Sequence, residues 1–121
     1  MEPSIRRVAV VGCGTVGASW AALFLAHGLD VAATDPAPGA QPALERFVER
    51  ALPQLAALGH AGGGRLTFHP ALADAVAGAG FVQENAPEDE ALKRRLLAGI
   101  DALAGPGVIV ASSTSALLRS A

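Results

Sequence analysis

One cysteine among 121 residues excludes an internal disulfide, and a lone thiol suits a reducing cytoplasm. Basic residues never cluster beyond Lys93-Arg94-Arg95, which follow Glu88, Asp89 and Glu90, so that trio reads as a solvated helix face. With a net charge of −2, the chain has no electrostatic footprint for nucleic acid or a membrane surface. No stretch reaches the ~18 apolar residues of a membrane span, and Met1-Glu2-Pro3 does not open a signal peptide. His27, His60 and His69 have no partner at metal-ligand spacing, so no metal is expected. Charged residues make up only 17% of the chain against 51% apolar, which excludes disorder and suits one domain with a modest core.

The chain is organised around Val8 to Asp35. A run of small apolar residues leads into Gly12-x-Gly14-x-x-Gly17, an apolar helix follows, and a second apolar run ends on Asp35. Each part has a task if the target is a dinucleotide. Gly12 permits the turn out of a strand, and Gly14 has no Cβ to block a pyrophosphate. Gly17 lets the helix pack on the strand, so that the amides of its first turn, at Thr15 and Val16, meet the phosphates. Asp35 lies eighteen residues beyond Gly17, near the spacing at which an acid reaches a ribose hydroxyl. Cys13, inside the loop, reads as a small spacer.

Periodicity organises the remainder. Strands are expected at Ile5–Val11, Leu29–Thr34, Arg65–His69, Phe81–Glu84 and Val108–Ala111. The first helix, Thr15 to His27, places Val16, Trp20, Phe24 and His27 on one side. Ala43 to Leu58 shows a helical stripe, with Pro53 inside it predicting a kink or a break into two helices. A short helix is expected at Leu72–Val76. A longer one starts near Pro87, turns Leu92, Leu96, Ile100 and Leu103 inward, and pairs Asp89 with Lys93 and Glu90 with Arg94. Alternation of this kind defines an α/β, Rossmann-type, doubly wound parallel sheet with strand order 3-2-1-4-5. Ser112 to Ala121 begins a further connection, so residues 1–121 read as the N-terminal part of a nucleotide domain, truncated after about the fifth strand.

Gly12-x-Gly14-x-x-Gly17, Asp35-Pro36, Val82-Gln83-Glu84-Asn85-Ala86-Pro87-Glu88 and Ser112-Ser113-Thr114-Ser115 occur in this order in a known family. The chain resembles the L-3-hydroxyacyl-CoA dehydrogenase superfamily over essentially its whole length, and its wording is most similar to the L-carnitine dehydrogenase and lambda-crystallin branch. The resemblance implies NAD as cofactor, with the three glycines at the pyrophosphate and Asp35 at the adenosine ribose. It also implies cofactor contacts from Glu88 and Lys93, and a catalytic Ser115 that hydrogen-bonds the substrate oxygen. The family motif often has asparagine where this chain has Ser113.

A general-base histidine, its partner acid and an asparagine lie downstream of this motif in the family, as does a helical C-terminal domain. The chain alone is therefore expected to bind NAD without oxidising a substrate. The implied partner is a small molecule: a 3-hydroxy acid, carnitine or a 3-hydroxyacyl-CoA of fatty acid metabolism. Ala37 to Gly64 has no lysine, which favours a free hydroxy acid or carnitine over a coenzyme A thioester. The full-length form is expected to be a cytoplasmic homodimer. A non-catalytic NAD-binding or crystallin-like structural module is the alternative.

Overall fold

The computed structural model describes residues 6–60, 62–85, 90–104 and 107–112. Among the described residues nine elements follow one another: β1 Arg7–Val11, α1 Thr15–Ala26, β2 Asp30–Thr34, α2 Ala40–Ala57, β3 Leu66–Phe68, α3 Leu72–Val76, β4 Phe81–Glu84, α4 Glu90–Leu103 and β5 Ile109–Ser112. All strands pair in parallel in the order β3-β2-β1-β4-β5, as expected. The order reverses beside β1, so the carboxyl ends of β1, β2 and β4 open a crevice at the switch point.

Alternation along the strands sorts the core into two layers. Val8, Val10, Val31 and Ala33 face α1 and α2, where Ala18, Ala21, Leu25, Leu44 and Val48 meet them. Ala9, Val11 and Val82 face the other way, onto Val76 of α3 and Ile100 of α4. A sheet buried from both sides accounts for the near-continuous apolar character of β1 and β2.

The structure refines three expectations. First, of the kink or break expected at Pro53, the break does not occur: α2 is one helix with Pro53 inside it. Pro53 is on the exposed side, so the Glu49 carbonyl it leaves without a helical donor faces water, while Leu52 and Leu55 pack on the core around it. Packing outweighs the missing bond. Second, Val16, Trp20 and His27 do share a side of the first helix, and it is the outward one, while α1 buries Gly17, Ala18, Ala21, Ala22 and Ala26 with Leu25. Only small side chains let a helix axis lie this close to a strand. Third, α4 turns Leu96 and Ile100 inward, but Leu103 is exposed. The expected Asp89 and Glu90 pairings lie outside the described side chains.

Candidate functional site

The crevice is a cleft of about 710 Å³. Gly12, Gly14, Thr15 and Val16 form one side, and Thr34, Asp35, Pro36 and Ala37 another. Pro70, Leu72, Leu92 and Leu96 supply an apolar wall that sequence reasoning did not assign. Those four come from two separate stretches, 70–72 and 92–96, and meet only in the fold.

The glycines divide their work. Gly12 has φ +94°, a conformation that side chains disfavour. A Cβ on Gly17 would stand 1.9 Å from the Gly12 carbonyl oxygen, so α1 is drawn against the turn as closely as backbone permits. A Cβ on Gly14 would meet nothing within 4 Å. That space is open, at the start of a helix whose first turn carries no acid. Amides of a first turn have no acceptor inside their helix and carry the positive end of its dipole, so the opening is built for an anion.

Asp35 has structural partners as well as a place on the cleft wall. The Cys13 N–H donates to its Oδ2 at 2.7 Å, and the Ala37 N–H to its Oδ1 at 2.8 Å. Each oxygen keeps a lone pair for a ribose hydroxyl. Asn85, quoted above only as part of the fourth-strand motif, is a second tie. Its backbone N–H donates to the Val11 carbonyl at 2.7 Å, and its side-chain amide reaches the Gly12 and Gln83 carbonyls at 3.4 and 3.2 Å.

Lys93 takes another position from the one expected by resemblance. The chain's single lysine is fully buried, with its Nζ donating to Glu84 Oε1 and Oε2 at 3.3 and 3.1 Å, and it is not part of the cleft lining. The Ser112 hydroxyl donates to Glu84 Oε1 at 2.6 Å, so one buried carboxylate ties the ends of β4 and β5 to α4. Glu88 and Ser115 lie outside the described residues.

Cys13 is buried, and its thiol is pushed up to about 12 by burial and then by the Asp35 charge. Holding the thiol neutral favours the fold below the ordinary pKa of 9.0, and that contribution fades as the pH climbs from there toward 12. At pH 8 a disulfide reagent such as DTNB is therefore expected to label Cys13 only at the rate of unfolding; immediate labelling of the native chain would contradict this placement. Among the described residues no group of three or more His, Cys, Asp or Glu side chains could hold a metal, and no helix is long and apolar enough to cross a membrane.

A parallel sheet whose first strand turns through three glycines into a helix, with an acid closing the second strand, defines a Rossmann-type dinucleotide-binding domain. Residues 7–121 match the family described as 3-hydroxyacyl-CoA dehydrogenase, NAD binding domain, and the chain belongs to that family. It is 56% identical over 115 residues to an L-carnitine dehydrogenase of Streptomyces coelicolor, covering 93% of this chain and 36% of that protein. An L-carnitine dehydrogenase of Bacillus cereus is 50% identical over 117 residues, covering 94% of this chain and 36% of the relative. A solved 5-formyl-3-hydroxy-2-methylpyridine 4-carboxylic acid 5-dehydrogenase superposes with a TM-score of 0.83 at 39% identity, covering 93% of this chain and 38% of that one. The chain thus spans little more than a third of the length of these relatives. The residues present fit NAD, because the open space at Gly14, the acid-free helix start and the anchored Asp35 lie along one cleft.

Proposed function

We propose that the protein to which this domain belongs oxidises a secondary alcohol at C3 of a small hydroxy acid, with carnitine the first candidate. Bound NAD would supply the hydride acceptor. The similarity to L-carnitine dehydrogenases supports this choice, as does the absence of lysine between Ala37 and Gly64. It also favours an enzyme over a non-catalytic or crystallin-like module. Gly12, Gly14 and the Thr15 and Val16 amides would hold the pyrophosphate, and Gly17 would hold the helix in place behind them. Glu88 would contact the cofactor. Lys93 would act on it through the element ends it ties together. Ser115 would hydrogen-bond the substrate hydroxyl and orient it for proton removal by a base. We further propose a homodimer in the cytoplasm, where an unpaired cysteine stays a thiol.

The observation that carries the reading is Asp35, on the cleft wall and pinned by two amides. Its carboxylate accepts hydrogen bonds from a ribose 2′-hydroxyl and repels a 2′-phosphate, and its two anchors keep it from rotating away. Titration calorimetry is expected to show NAD bound about 30- to 150-fold more tightly than NADP, a difference of about 2–3 kcal/mol. Equal affinities would remove Asp35 from the ribose site and the reading with it.

A further inference from the structure

The peptide unit between Gly12 and Cys13 is held at both of its polar ends. Its N–H donates to Asp35 Oδ2 at 2.7 Å, and its carbonyl oxygen accepts from Asn85 Nδ2 at 3.4 Å. The preceding unit is held in the same two directions. There the Gly12 N–H donates to the Thr34 carbonyl at 2.9 Å, and the Val11 carbonyl accepts from the Asn85 N–H at 2.7 Å. That first unit continues the backbone ladder of a central strand. The second lies past the end of β1, and its partners are two side chains, one just after β2 and one just after β4.

Asn85 is itself held in one orientation. Carbonyl oxygens only accept, so the Nδ2 side of its amide faces those of Gly12 and Gln83, and Oδ1 accepts from Gln83 Nε2 at 3.3 Å. Gln83 is 4% exposed and stands in a row with Val10 and Ala111. A buried amide in an apolar row costs stability unless it is hydrogen-bonded. Packing alone gives no reason for a glutamine here; its bond to Asn85 does.

Clamping matters at this unit because of charge. One edge of a peptide carries the positive N–H and the other the negative carbonyl oxygen, and Gly12, without a Cβ, opposes rotation less than any other residue. Half a turn would bring the Gly12 carbonyl oxygen round to the side of Asp35 and the cleft, where it repels an anion. We propose that Asn85, set by Gln83, is a positioning residue for cofactor binding, which together with Asp35 fixes the Gly12–Cys13 peptide and keeps its carbonyl off the phosphate site. Asn85 acts on the phosphates through this peptide and not by touching them. The inference rests on the pyrophosphate lying at the glycine turn and not on the reaction proposed above.

The test is Asn85→Ala in the 121-residue chain, read by nuclear magnetic resonance and calorimetry. The Cys13 amide proton is expected to exchange with water about 5- to 10-fold faster, and NAD affinity to fall by a similar factor, the worth of one hydrogen bond. Adenosine, which has no phosphate, is expected to bind as it does to wild type. Gln83→Met is expected to give smaller losses of the same kind, and the double variant to bind NAD no more weakly than Asn85→Ala alone. Losses that multiply in the double variant would overturn the link through Asn85. Gly14→Ala is the reference for where the phosphates lie. If it loses affinity while Asn85→Ala binds NAD within about two-fold of wild type, the proposal fails and the phosphate site stands. If Gly14→Ala keeps full affinity, the phosphate site fails and the proposal with it. Equal losses for NAD and adenosine, with a lowered melting temperature, would also overturn it, because Asn85 would then only hold the fold together. Should Asn85→Ala not fold, Gln83→Met carries the same readouts.

Discussion

Lys93→Met is expected to destabilise the domain by about 3–5 kcal/mol, a large share of the roughly 5–15 kcal/mol that holds a domain of this kind together. Both partners of the Glu84–Lys93 pair are fully buried. The substitution keeps the volume of the stem but leaves the Glu84 carboxylate inside the core without its ammonium. The effect comes from that stranded charge and not from a large net gain in forming the pair. The double variant Glu84→Gln/Lys93→Met is therefore expected to recover most of the loss, with the Ser112 hydroxyl still able to donate to the amide oxygen. Urea denaturation of wild type, both single variants and the double variant measures this directly. A cost below about 1 kcal/mol for Lys93→Met would mean that water reaches the pair.

Two alanine substitutions three residues apart are expected to fail in different ways. Gly17→Ala places a methyl group 1.9 Å from the Gly12 carbonyl oxygen, a backbone atom with no freedom to move aside. Helix and turn must separate, at a cost of about 3 kcal/mol or more, and NAD binding should disappear with the turn. Gly14→Ala meets nothing within 4 Å, and its φ of −69° suits alanine. Its stability is expected to stay within about 1 kcal/mol of wild type, the poorer helix cap being offset by a stiffer unfolded chain. Its methyl group would nevertheless occupy the approach proposed for the pyrophosphate, so NAD affinity should fall about 100-fold, close to 3 kcal/mol. Melting curves and calorimetry on the two proteins separate the effects. Full NAD affinity in Gly14→Ala would move the phosphates elsewhere.

These cases mark where local pattern was enough and where it was not. The edges of α3 and β4 fall where apolar runs and turn residues set them, because those signals are written within a few neighbouring positions. The order of the strands follows from alternation and right-handed crossovers. The choice between a kink and a break at Pro53 was left open by the sequence, since continuity depends on which side of the helix faces water. The side of α1 that packs was not legible for a related reason: the bulky residues share one side, but only the small ones fit against the sheet. Lys93 was read from neighbours at helical spacing, whereas its partner Glu84 sits on another element. In the cleft, the glycines and Asp35 were legible from their spacing. The wall of Pro70, Leu72, Leu92 and Leu96, and the ties made by Asn85, exist only once the strands are assembled.

The hydrogen bond from the Cys13 amide to Asp35 has a bearing on redesign. The residue proposed to select between the two nicotinamide cofactors is also the latch on the loop proposed to receive their shared phosphates. Exchanging it for arginine or serine, the obvious route to an NADP-using variant, would loosen the loop while changing the preference. Such an exchange needs a second substitution that restores an acceptor for the Cys13 amide. With Asp35 in the proposed role, cofactor choice and loop rigidity are inherited together, and an evolutionary path from one cofactor to the other has to change both.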